Sequence, residues 1–275
     1  MKFSMKHVLQ DLALVDAPKL IDASQIAYAT FRSTFPGGML HDEPGLLWFE
    51  TGVPLYVFNG VLRTQLEADR LPAAADRMLA HFQSRQLPFE WNVGPSSRAQ
   101  NLDQLLLDRG MTHEEDEPGM AVDLYKLHEE VVDVPNLVIQ EVKSDEQLRQ
   151  WSRTWASGAP VEVGEHWYTL YKGLKLDQDS PVHFYLGLLD DEPVATVTLF
   201  FAVGVAAIHH VVTTHKVRRM GIGAAITLRA AQEARRHGYS IAILTASSLG
   251  INIYRRLGFR EYCTFSTYEW EPSTS

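Results

Sequence analysis

Arg218-Arg219-Met220-Gly221-Ile222-Gly223-Ala224 is the stretch whose residue types are best suited to hold a charged ligand. It joins a run of strand character to the strongest helical pattern in the chain, so its last residues open that helix. Small residues there let the backbone approach a ligand closely. The first N–H groups of a helix have no intrahelical partner and carry the positive end of its dipole. Together these make a phosphate site, to which Arg218 and Arg219 add charge. Two common phosphate binders are excluded. The dinucleotide fingerprint needs a small residue where Ile226 stands and an acid where the next strand ends in Thr245; a P-loop needs Gly-Lys-Ser/Thr. A bare strand-to-helix turn would use the same glycines, so the stretch by itself leaves that alternative open. Other reactive side chains are sparse. His209, His210 and His215 lack carboxylates at metal-ligand spacing, so no metal site is expected. Cys263 is the single cysteine, with no base in view, and reads as a core or edge residue.

The elements that must position this turn follow from periodicity. Leu137 to Val142 reads as a strand, and Asp145 to Ala156 as a helix carrying Leu148, Trp151 and Trp155 on one face. A second short helix is expected over His166 to Gly173. Strands follow at Val182 to Leu189 and Pro193 to Phe201, around an Asp190-Asp191-Glu192 turn, and at Val205 to Thr213. The helix from Ile222 to His237 buries Ile226, Leu228, Ala231 and Ala234 and is stopped by Gly238. A short apolar strand, Ser240 to Thr245, suits a parallel pair. A helix from Ile251 to Leu257, ended by Gly258, and a strand from Tyr262 to Trp270 complete the half.

With 275 residues, 45% hydrophobic and 21% charged, the chain can build one large core or two smaller ones. A net charge of −9 argues against broad nucleic-acid binding. Residues 1 to 18 lack the apolar core of a signal peptide, and no run approaches a membrane span. No nucleic-acid or membrane partner is expected, and one cysteine suits a reducing, cytoplasmic setting.

The two motifs of the second half belong together. Arg218-x-x-Gly221-x-Gly223, followed about 30 residues later by Tyr254-Arg255-Arg256-Leu257-Gly258-Phe259, resembles the paired signatures of the GNAT superfamily of N-acetyltransferases. The element order over 137 to 270 is similar to that fold as well. The resemblance implies acetyl-CoA as cofactor. It places the pantetheine arm along Val211, Val212 and Thr213, and the pyrophosphate on Arg219, Met220, Gly221, Ile222, Gly223 and Ala224, with Arg218 beside them. Tyr254 would protonate the departing thiolate. His209, nine residues before Arg218, would face the thioester and accept the amine's proton, with His210 pointing the opposite way; Glu162 and Glu165 are rivals for that role. Where many members carry an asparagine seven residues before the tyrosine, this chain has Ser247, which would offer one hydrogen bond and leaves the usual contact in doubt.

The first half echoes the element order without the machinery. Helices are expected over Ile21 to Phe31, Ala73 to Gln86 and Leu102 to Arg109. Strands are expected over Leu46 to Glu50, Leu55 to Leu62, Phe89 to Val93 and Met120 to Leu124. The turn after the second strand has no Gly-x-Gly and carries Glu67 and Asp69, which would repel a pyrophosphate, and Leu106 stands where the tyrosine should be. The resulting expectation is an α/β chain of two tandem GNAT-type domains, each a mixed, mostly antiparallel sheet flanked by helices. Residues 1–126 form a degenerate domain, 127–136 a linker and 137–275 the catalytic domain. The acceptor is expected to be a small-molecule amine, attacked directly in a ternary complex; acetylation of a protein lysine or N-terminus, or an acyl-CoA-binding regulatory module without turnover, are the alternatives. Monomer and homodimer are both compatible.

Overall fold

A computed structural model describes residues 8–97 and 99–272. Part of the N-terminal stretch read for a signal peptide, residues 1–7, lies outside the described residues. The chain forms two compact units, one of residues 1–24 and 119–262, the other of residues 25–118 and 263–275.

In the first half, α1 (Ala17–Arg32) precedes β1 (Met39–Glu43), β2 (Leu46–Glu50), β3 (Gly60–Thr64), α2 (Leu71–Ser84), β4 (Phe89–Val93), α3 (Leu102–Asp108), β5 (Thr112–His113) and β6 (Glu117–Asp123). The strand expected from Leu55 begins only at Gly60, because Tyr56–Phe58 is a single 3-10 turn. Asn59 explains the difference. Its buried amide donates to the carbonyls of Val53 (2.9 Å), Leu55 (3.2 Å) and Pro88 (3.0 Å) and accepts from the Thr51 N–H (3.0 Å), coiling the apolar run around itself. β1 and β5 carry no clear apolar alternation and were not foreseen. The apolar stripe of α2 buries Ala75, Met78 and Phe82 against the sheet, where Phe82 stacks on Phe89 at 4.3 Å.

The second half runs β7 (Leu137–Glu141), α4 (Asp145–Trp155), α5 (Val161–Tyr171), β8 (Val182–Leu189), β9 (Glu192–Ala202), β10 (Val205–Thr213), α6 (Ile222–Arg236), β11 (Ile241–Thr245), α7 (Ile251–Arg256) and β12 (Arg260–Trp270). The hairpin between β8 and β9 turns on Asp190 and Asp191, both left-handed (φ 49° and 65°), as a two-residue turn demands. Ser144 caps α4, accepting from the Gln147 N–H, while the Gln147 amide oxygen accepts from Lys143 N–H. Helix α5 begins five residues earlier than expected. Gly164, which weakens the helical pattern, is what lets α5 cross α4: a side chain there would stand 3.3 Å from the Ser152 carbonyl.

The compact units do not coincide with the stretches 1–126 and 137–275, because two strands serve the other half's sheet. β6 pairs antiparallel with β11, Ala121 opposite Ile243, while β12 pairs antiparallel with β4, Tyr268 opposite Trp91, and also with β5. One sheet therefore runs β7-β8-β9-β10-β11-β6, with only β10 and β11 parallel. The other runs β1-β2-β3-β4-β12, with only β3 and β4 parallel. Among the described residues no helix is long and apolar enough to cross a membrane.

Candidate acyl-transfer site

The parallel pair that centres the first sheet is short. β10 and β11 are in register only at Ala206–Ala242 and Ala207–Ile243, whereas β10 stays paired with β9 as far as Thr213. Beyond Ala207 the edge of β10 therefore leaves the ladder on one side. Its N–H and C=O groups there can take an extended, amide-bearing ligand as a ladder neighbour. Val211, Val212 and Thr213 lie on this edge and are half-buried.

The glycine turn stands where this strand ends. Gly221 (φ 89°) is the N-cap of α6, and no side chain caps the helix, so the N–H groups of Ile222, Gly223 and Ala224 have no helical or side-chain acceptor. Arg218 ties the turn to the strand by donating its Nε to the Thr213 carbonyl (3.2 Å), while Arg218, Arg219 and Met220 are exposed. Both glycines also answer to the protein's own packing. A side chain at Gly223 would stand 3.3 Å from Ile253 Cδ1 and 3.6 Å from Thr213 Oγ1; one at Gly221 would stand 3.3 Å from Val132 Cβ. The segment 127–136 is thus no loose tether. Glu129 pairs with Arg235 (2.8 Å) and accepts from Gln232, His128 N–H donates to the Leu257 carbonyl (3.1 Å), and Val134 is buried in the core.

Tyr254 lies on α7, 7% exposed, with its ring edge-to-face on Phe259 (6.1 Å). The ring also covers Gly250, where a side chain would meet Tyr254 Cε2 at 2.8 Å. The carbonyl of Ser247 accepts from the N–H groups of Gly250 and Ile251 (3.0 Å each), so this residue starts the turn that carries the tyrosine helix.

The two histidines depart from expectation. A β-bulge interrupts β10: His209 stands opposite Thr198 and Val212 opposite Thr196, so two residues occupy one place, and His210 is left-handed (φ 53°). His209 shares the sheet face of Phe184 and Thr198, which α4 and α5 cover. His210 does not point the opposite way. It contacts Trp167 (4.7 Å), Trp151 (5.6 Å) and Trp155 (5.7 Å) on that same face, with Nδ1 3.2 Å from Thr198 Oγ1. Strict alternation of side chains could not reveal this; an extra residue in the strand cancels it. The three tryptophans, seen in the sequence only as helix positions, are the part of the site that sequence reasoning missed.

Of the rival bases, Glu165 is held by Arg149 (2.9 Å) and Arg153 (3.1 Å), and Glu162 is exposed in the first turn of α5. Neither is brought to the bulge by any of these contacts. Among the described residues no group of three or more His, Cys, Asp or Glu is placed to hold a metal. Cys263 is half-buried on β12, and Leu106 is fully buried in the core of its own unit. A cleft of about 780 Å³ lined by Asp16, Lys126, Arg255, Arg260 and Tyr262 includes neither Tyr254, nor the two histidines of β10, nor the glycine turn.

The first sheet thus combines a short parallel pair, opening along β10, with an uncapped glycine turn at the end of the same strand. Residues 145–259 match the acetyltransferase (GNAT) family model. Over nearly its whole length the chain is similar in fold to a GCN5-related N-acetyltransferase from Kribbella flavida (TM-score 0.69, 21% identity, 94% of this chain and 96% of that one). It is likewise similar to a tandem GNAT protein from the clavulanic acid biosynthesis pathway (TM-score 0.57, 17% identity, 93% and 88%). A protein of unknown function from Staphylococcus epidermidis shares the fold at TM-score 0.64 and 13% identity, with 88% and 97% covered. No curated protein sequence matches the chain. The α/β architecture of tandem GNAT-type folds expected from the sequence is therefore the one observed.

Proposed function

We propose that this protein transfers the acetyl group of acetyl-CoA to a primary amine on a small molecule, by direct attack within a ternary complex. The observation that carries this reading is the uncapped N-terminus of α6 beside the open edge of β10. The N–H groups of Ile222, Gly223 and Ala224 would hold the pyrophosphate, with Arg218 and Arg219 at its flank. Val211, Val212 and Thr213 would pair with the pantetheine amides. The residues present fit the group: donors point where negative charge belongs, and the strand edge offers a ladder with nothing on it for the length of a short peptide-like chain.

The cofactor supplies an activated thioester. Tyr254 donates a proton to the departing sulfur, a role a phenol fills well because it holds its proton at neutral pH. An imidazole on the β10 bulge receives the amine's proton; His209 is the residue the sequence singles out, and it does lie on the face covered by α4 and α5. That face is roofed by helices and closely packed rings, which suits a single amino group better than a folded chain.

Calorimetric titration of acetyl-CoA tests the reading, beside Ala224→Asp. Gly221 is unsuited to this purpose, since any side chain there is strained at φ 89° and crowds Val132 Cβ at 3.3 Å. An acid in the first turn of α6 instead favours the helix dipole, so the fold is kept while a negative charge is placed where the pyrophosphate would sit. The expected result is one site in the wild type and at least about tenfold weaker binding in the variant. Absence of binding by the wild type would remove the transferase reading.

A further inference from the structure

His210 holds a left-handed backbone (φ 53°) within β10. A left-handed backbone at a non-glycine residue is strained and persists only where its surroundings fix it. Those surroundings are complete here. The ring is boxed by Trp151, Trp155 and Trp167 at 4.7 to 5.7 Å, each ring plane steeply inclined to it (72° to 82°). Its Nδ1 lies 3.2 Å from Thr198 Oγ1, and its backbone carbonyl accepts from Thr196 Oγ1 at 2.8 Å. Trp151 and Trp167 are fully buried, whereas Trp155 and His210 are only half-buried, so the box is partly exposed on the side of these two residues. His209 instead keeps a regular ladder place opposite Thr198, and its Nε2 is shut off from solvent.

We propose that His210, held in the box of Trp151, Trp155 and Trp167, is the imidazole that takes the proton from the acceptor amine. The assignment rests on the acetyl-transfer reading above. The amine nitrogen bonds to the acetyl carbon as the carbon–sulfur bond breaks; the amine's proton passes to Nε2 of His210, and the sulfur takes the proton of Tyr254. In this assignment Nδ1–H donates to Thr198 Oγ1, 3.2 Å away, and the lone pair stands on Nε2. The imidazolium so formed stays bounded by the three indole rings, whose centroids lie 4.7 to 5.7 Å away.

The test compares His210→Asn with His209→Asn in the full chain. Asparagine tolerates a left-handed backbone, so His210→Asn keeps the bulge while removing the imidazole. Three readouts are taken: acetyl-CoA affinity by calorimetry, coenzyme A release with n-butylamine as acceptor, and tryptophan emission between pH 5 and 8. A protonated imidazole touching an indole quenches it, so the wild type shows an emission step with pH, to which His41 and His81 beside Trp48 add a part present in both variants. We expect His210→Asn to bind acetyl-CoA as the wild type does, to show a smaller emission step, and to transfer at least about 100-fold more slowly. His209→Asn should keep the full step and lose far less activity. The assignment is overturned if His210→Asn transfers at the wild-type rate, if the emission step is undiminished in it, or if the large loss belongs to His209→Asn. It is equally overturned by a wild type that binds acetyl-CoA but transfers to no amine. Failure of the wild type to bind acetyl-CoA is a different result: it removes the transfer reading itself, and this assignment with it.

Discussion

Replacing Glu269 by glutamine should stabilise the protein, and increasingly so as the pH rises. Glu269 on β12 stands directly opposite Glu90 on β4, so two carboxyls face each other across one antiparallel pair. Burial, followed by the charges of Glu114, Glu90 and Glu271, pushes Glu269 up to about 8. Burial also raises Glu90, with Arg32 and the Asn92 amide working against it. A carboxyl whose folded pKa lies above its unfolded value binds its proton more tightly in the folded state. The unfolded chain therefore gains relative stability as pH rises from about 4.5 to about 8, and the loss is complete above that. A shift from 4.5 to about 8 is worth roughly 5 kcal/mol in the limit of full burial. Glu269 is only half-buried, and solvent screening reduces this to about 2 kcal/mol. Urea denaturation of the wild type and Glu269→Gln at pH 5, 7 and 9 reads the difference. The two should nearly coincide at pH 5 and separate by about 2 kcal/mol at pH 9. A separation independent of pH, or a variant less stable at pH 9, would refute the reasoning that this pair repels.

Two further predictions concern stability. Burial, then the neighbouring His183, lowers His237, and burial also lowers His41. A histidine with a depressed folded pKa leaves stability intact above about 6.5 and removes it as the pH falls through the folded value, so thermal midpoints should drop between pH 6.5 and 5 and His237→Gln should flatten that drop. Asn59→Ala should destabilise the protein by about 2–4 kcal/mol in chemical denaturation, because it orphans a buried N–H and three carbonyls; a change below about 0.5 kcal/mol would show that the 53–59 loop folds without it.

The sequence by itself determined most of the elements of the second half. Strong periodicity placed α6, β8, β9 and β10 within a residue or two, since an apolar stripe or a fully apolar run admits few alternatives. It also determined that Gly221 opens a helix with unfilled donors, because a left-handed cap requires glycine and nothing nearby in sequence can cap α6. The tertiary structure decided the rest. Which sheet receives β6 and β12 depends on pairing between segments far apart in the chain, and each strand's own pattern is compatible with either sheet. The segment 127–136 reads as a linker because it lacks periodicity, yet Glu129 and Val134 dock it by contacts with α6 and the core that spacing cannot express. The face on which His210 lies was beyond reach for the same reason. One extra residue in β10 reverses every alternation argument downstream, and its place is set by Thr196, Thr198 and three tryptophans on other elements.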